Sequence, residues 1–239
     1  MLNFINWFFL TPTSIVAVLS FIVAFITYRY QRNWNRKRHT KEVTDWYSQI
    51  ALPKIRYINS VLTSIGCIDT LKKFTKFEDF DSKELSDNFT NAAIKPETFK
   101  DMFNNITENV LDTAFKESGC NSYIYQCHIS LKETISNSSS LSYSVFNKFI
   151  IDLLNQTESI ALQLNCSVYD EKMIYPILHQ TFLKTIKHLY YFIAAENTQD
   201  YDQFYIYTIW LYLLWDKRVK NEKQKIKRKF AHKSKVSKL

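Results

Sequence analysis

From Leu2 to Tyr28 the chain carries no charged side chain, and its first charge, Arg29, opens a stretch where Arg29, Arg32, Arg36, Lys37, Arg38, His39 and Lys41 crowd together. An uncharged apolar run that ends in a basic cluster predicts a transmembrane helix with its basic flank in the cytoplasm. Crossing roughly 30 Å of hydrocarbon takes about 20 residues. The densest run, residues 15–28, therefore needs help from Ile5 to Leu10. Pro12 interrupts that extension: it either kinks the span or starts a helix capped by Thr11. Trp7 at one end and Tyr28, Tyr30 and Trp34 at the other suit the headgroup level, where Trp and Tyr concentrate. No basic residue precedes the apolar run and no small-x-small site precedes Arg29, so an uncleaved anchor is expected rather than a signal peptide.

Beyond the anchor the apolar spacing predicts helix after helix. Trp46, Ile50, Ile55, Ile58, Leu62 and Ile65 keep to one side of a helix over residues 41–65, bent at Pro53 and stopped by Gly66, and able to continue directly from the anchor. Residues 68–95 mix aromatic and acidic side chains and predict a surface loop or short helix. Phe99, Phe103, Ile106, Val110, Leu111 and Phe115 form the stripe of one helix over 96–117, ended by Gly119. A weaker helix covers 121–135, and the serine-rich run at 136–140 reads as a capping loop. Over 141–164, Phe146, Phe149, Ile150, Leu153, Ile160 and Leu164 give the clearest helical periodicity. Asp170 and Glu171 start another helix, which runs to about Ala195, and a turn follows at 197–200. Residues 204–215 are apolar or aromatic on every face, the pattern of a central core helix; a face packed on the membrane or on a second copy is the alternative.

Composition narrows the class. Two glycines and four prolines in 239 residues leave little material for strand turns or phosphate-binding loops. The fold class expected is all-α: an N-terminal transmembrane helix over 1–30, a basic juxtamembrane segment over 31–41, a cytoplasmic helical bundle over 42–216 and a basic tail over 217–239. The formal charge of +8 is segregated: residues 42–216 hold fourteen Lys/Arg against twenty-two Asp/Glu, and basic segments flank them. Arg56 is the only arginine of that middle, which argues against a phosphate or nucleotide site in its core. Cys67, Cys120, Cys127 and Cys166 are scattered and expected as reduced, buried thiols.

The run from Leu154 through Glu158-Ser159-Ile160-Ala161 to Tyr169-Asp170-Glu171, with Ile174 and Phe182-Leu183 after it, resembles a bacterial family known as domain of unknown function number 4760. That resemblance implies an N-terminal anchor joined to a helical cytoplasmic domain, with a Glu-x-x-Ala helix end followed by a Tyr-Asp-Glu helix start. It implies no activity, so no catalytic residue is carried over.

Sites for chemistry are sparse. Cys120 and Cys127 are too widely spaced for a zinc pair. Cys127 and His128 are adjacent on a helix and point about 100° apart. His179 and His188 fall on opposite faces of theirs. Glu158 sits beside the strongest apolar stripe and is expected as a buried anchor paired with Lys184 or Lys187. No cofactor, metal or catalytic set is expected. The segments that carry function are basic: Arg29, Arg32, Arg36, Lys37 and Arg38 in the collar, and Lys217, Arg218, Lys220, Lys225, Lys227, Arg228 and Lys229 in the tail. They are read as contacts for membrane lipid or, as the alternative, nucleic acid, and the tail is read equally as a solvated segment that binds neither. The expected protein is a single-pass inner-membrane interaction or assembly module, N-terminus outside. Its partner would be a second copy or another protein, and a stress or phage-defence effector is the role its class suggests.

Overall fold

The computed structural model describes residues 12–119, 122–137, 142–197 and 203–236. Trp7, Cys120, most of the serine-rich loop and most of the turn after Asn197 lie outside the described residues. Every regular element among the described residues is helical, as the glycine-poor composition predicts.

Helix α1 runs from Pro12 to Trp46 and passes without a break through a π-turn, Tyr47–Ala51, into α2, Leu52–Ser64. The π-turn has a local cause. Pro53 lies in the first turn of α2; it has no N–H to give the carbonyl four residues back, and its ring would press on that carbonyl. The wider turn relieves both problems, and Leu52 N–H reaches back five residues to the Tyr47 carbonyl. Gly66, at φ +82°, takes the left-handed conformation that ends α2 and starts α3, Cys67–Leu71.

The stretch 68–95 does hold short helices, α3 and α4, Ser82–Asn91, but its expected surface placement is a correction: it buries Phe74, Phe80, Leu85 and Phe89. Two polar side chains make this possible. The buried Glu84 carboxylate accepts the backbone N–H groups of Glu78, Asp79 and Phe80 at 2.8, 2.9 and 3.3 Å, and the Tyr190 hydroxyl at 2.7 Å. The Asn88 amide accepts from Thr75 and Lys76 N–H and donates to the Lys76 carbonyl. An irregular loop is thus tied down from inside, and periodicity carries no trace of such ties.

The predicted helix over 96–117 is likewise split. α5 (Pro96–Asp101) runs into a 3₁₀ turn (Met102–Asn105), and α6 (Glu108–Ser118) restarts after Thr107, whose side chain accepts from Val110 N–H. The break lets Phe99 pack on Tyr191 and Phe103 on Phe192, at centroid distances of 4.4 and 5.8 Å. Helices α7 (Ser122–Asn137), α8 (Ser142–Asn165), α9 (Glu171–His188), α10 (Tyr190–Glu196) and α11 (Ile206–Val236) complete the bundle.

Helix α11 departs from expectation on one face. Thr208, Leu211, Tyr212 and Trp215 are buried, but Ile206, Trp210, Leu213 and Leu214 are exposed. Only one side of this aromatic helix meets the core, mainly α8 and α9. Of the described thiols, Cys67 is buried, Cys127 half-buried and Cys166 exposed, so the expectation of uniformly buried cysteines fails.

Candidate functional site

Residues 15–35 of α1 carry exposed side chains along their whole length, and the bundle takes hold of the helix at Arg36. Arg36 Nε donates to the Tyr169 carbonyl at 3.0 Å, and its guanidinium lies 3.8 Å from the Asp170 carboxylate. Thr40, one turn on, is buried; its hydroxyl donates to the Arg36 carbonyl and accepts from Asp170 N–H at 2.8 Å. The next residue, Glu171, accepts Arg218 at 3.0 Å and the Trp215 indole N–H at 3.1 Å. Arg218 also spreads over the Tyr175 ring, 3.6 Å from its centroid, and donates to Glu222. Two consecutive acids at the start of α9 therefore hold one arginine from each basic segment. Collar and tail, through Arg36 and Arg218 182 positions apart in sequence, converge on a single point of the bundle.

The other basic residues divide. Arg38 pairs with Glu42 at 3.2 Å and Lys220 with Asp216 at 2.6 Å, both within one helix turn. Arg29 lies over Phe25. Among the described residues Arg29, Arg32, Lys37, Lys217, Lys225, Lys227 and Arg228 form no ion pair. Their heads are free to meet an external anion. The Lys229 side chain lies outside the described residues. Of the aromatic anchors, Tyr28, Tyr30 and Trp34 are exposed on α1.

A second polar cluster, which sequence reasoning missed, lies inside the bundle. Lys54 of α2 is fully buried, and its ammonium pairs with Asp152 of α8 and sits 4.5 Å from the Phe149 ring centroid. One turn on, the Tyr57 hydroxyl contacts His128 Nδ1 at 3.3 Å, and His128 Nε2 lies 3.1 Å from Asp112, which Lys132 also holds. Hydroxyl, imidazole and carboxylate stand in line, but Tyr57 has no exposed surface. Burial raises its pKa and lowers that of His128, which keeps the phenol protonated and the imidazole neutral. The line presents no nucleophile to solvent; it satisfies polar groups between α2, α6 and α7. The signal available in the sequence was Lys54 itself, a charge on the apolar side of its helix.

The remaining sequence candidates scatter. His188 bonds Asn59 at 2.7 Å, and burial, with Lys184 and Lys72 nearby, pushes its pKa down to about 4. His179 instead contacts the carbonyl of Tyr175. Glu158 pairs with neither Lys184 nor Lys187. Its carboxylate accepts Tyr207 and Thr208 N–H at 3.0 and 2.7 Å, capping α11 from a neighbouring helix. Among the described residues no three His, Cys, Asp or Glu side chains gather as a metal site.

Fold and site define a class: a helical bundle hung on one helix long and apolar enough, by length and composition, to cross a membrane. The chain belongs to the family described as Domain of unknown function (DUF4760), whose profile matches residues 14–215. The match takes in the apolar helix and the bundle, and the basic tail lies beyond it. No curated protein and no solved structure matches the chain.

Proposed function

We propose that this protein is a single-pass membrane protein, N-terminus outside, whose cytoplasmic helical domain is a non-enzymatic interaction module held close to the bilayer. One observation carries the reading: no residue of the apolar stretch of α1 is buried, and the residues that follow it are basic. A core helix of a soluble domain would bury such a stretch. Arg36 and Arg218 meeting at Asp170 and Glu171 supports a shared basic face at the junction, where each unpaired cation near an anionic leaflet contributes roughly 1 kcal/mol.

Membrane residence is tested by fractionating cells that express the full chain and washing the membranes with carbonate. Retention is the expected result, and release into the wash overturns the reading. Orientation is tested on the exposed Cys166 with a membrane-impermeant maleimide. Labelling that depends on Cys166 should appear only after the cytoplasmic side is opened; labelling in intact cells overturns the topology.

A further inference from the structure

We infer that the junction between α1 and the bundle is a binding cleft for the phosphate of an anionic phospholipid headgroup, with Arg32 as its central ligand. This rests on the membrane reading above and adds a specific site and ligand class to it. An open cleft of about 400 Å³ runs along α1, lined by Tyr28, Arg32, Asn35, Arg36 and His39 and walled on the other side by the turn at residues 166–168. Those α1 positions recur at three- and four-residue steps, so they share one helix face. The opposite wall is firm. Ser167 adopts a left-handed conformation at φ 58°. Its N–H and that of Val168 bond back to the Leu164 and Gln163 carbonyls at 3.0 and 2.9 Å, closing the end of α8.

Charge and depth both point to a phosphate. Arg32 forms no ion pair among the described residues, and the two carboxylates bonded beside the cleft are already engaged, Asp170 by Arg36 and Glu42 by Arg38 and His39. The cleft thus presents net positive charge with donors still to be satisfied. If Tyr28 marks the edge of the hydrocarbon, Arg32 lies about 6 Å beyond it along the helix. The headgroup layer on each side of a bilayer is about 5–8 Å thick, so the guanidinium sits at phosphate depth. A planar guanidinium there can take two phosphate oxygens at once. Val168, two-fifths exposed, adds apolar surface to the far wall.

A soluble phosphate, or the backbone of a nucleic acid, offers the same oxygens, so the experiment separates the sources. The full-length protein is purified in detergent, and retained lipid is counted by native mass spectrometry after addition of phosphatidylglycerol, with phosphatidylcholine as the neutral control. Arg32→Gln is compared with Lys37→Gln. Lys37 is also unpaired and also a single positive charge, but it stands about 180° round the helix from Tyr28. The expected result is retention of phosphatidylglycerol over phosphatidylcholine, cut about tenfold by Arg32→Gln and changed less than about twofold by Lys37→Gln. Equal losses from the two variants, or equal retention of the two lipids, would mean a diffuse basic collar and would overturn the cleft. Displacement of the lipid by inorganic phosphate or by a short RNA at matched concentration would assign the cleft to those ligands and overturn it as well. These outcomes differ from failure of the membrane reading itself, which shows as release of the wild-type chain from washed membranes.

Discussion

Lys54 and Asp152 allow a sharp test of the interior network, because the two substitutions that break the pair should differ in size and even in sign. Lys54 has no exposed surface, whereas the Asp152 side chain is about half exposed at 53%. Truncating the acid, Asp152→Ala, leaves an ammonium buried between aromatic rings with no counter-charge. Removing one partner of a buried pair costs about 3–5 kcal/mol. Here water can approach from the Asp152 side, and the Phe149 face at 4.5 Å retains some cation–π attraction, so the expected cost falls to about 2–3 kcal/mol. Replacing the base, Lys54→Met, removes the buried charge with little change in volume and leaves the acid in water; the result should lie within about 1 kcal/mol of wild type. The double variant should resemble Lys54→Met alone. For a domain of this size 1 kcal/mol moves the melting temperature by about 2–4 °C. The assay is thermal unfolding of the detergent-solubilised chain followed by helical circular dichroism. A loss from Lys54→Met as large as that from Asp152→Ala would refute the argument, since it would mean the pair itself, and not the stranded charge, carries the stability.

Three further outcomes follow from the same structure. Glu158→Ala should cost about 1–2 kcal/mol by stranding two N–H groups, and amide exchange should accelerate first at Tyr207 and Thr208. The Tyr47 hydroxyl is buried with no hydrogen-bond partner among the described residues, so Tyr47→Phe should leave stability unchanged or raise it by up to about 1 kcal/mol; a clear loss in chemical denaturation would reveal a bridging water. His188 has a folded pKa of about 4, below its ordinary value of 6.5, so between those pH values the unfolded chain binds the proton and the fold does not. Its contribution to stability is full above about pH 6.5 and is lost as pH falls towards about 4; His188→Gln should flatten that part of the stability–pH curve, and an unchanged slope would show the effect lies elsewhere.

Those polar ties also mark where sequence reasoning ran out. Helices with an unbroken apolar stripe were legible: the spacing of Phe146, Leu153 and Leu164 fixes α8 to within a residue or two at each end, and Asp170 before Glu171 marks the start of α9. The acidic stretch around Glu84 is illegible from spacing alone, because periodicity scores a glutamate as outward-facing. It cannot register that three backbone N–H groups and a tyrosine from 106 positions away will converge on that glutamate. The same blindness hid Lys54. The break at Thr107 was visible in principle as a threonine N-cap before Glu108, but the continuous stripe through Phe103, Ile106 and Val110 outweighed it. Arg36 and Arg218 were legible as basic residues and illegible as a pair, since nothing local links residues so far apart.

The long first helix does more than an anchor alone would. From Pro12 to Ser64 it is helical throughout, roughly 80 Å at the usual rise, and its far half is not a tether but part of the core. Thr40, Val43, Tyr47, Ala51 and Ile55 are buried in the bundle. A boundary drawn after residue 41 would remove Arg36 and Thr40, which close the turn before α9, and would leave Asp170 N–H and the Tyr169 carbonyl without their partners. The exposed apolar stretch and the stretch that organises the domain thus share one hydrogen-bonded cylinder, interrupted only by the π-turn at Tyr47. A helix of that kind bends little over a few turns, so any tilt or rotation imposed on the exposed half must be taken up at the π-turn or transmitted to the packing around Ile55 and Ile58. On the membrane reading proposed above, the exposed half would therefore position the domain rather than merely hold it, and the basic residues at the junction would act on a bundle whose orientation is already set.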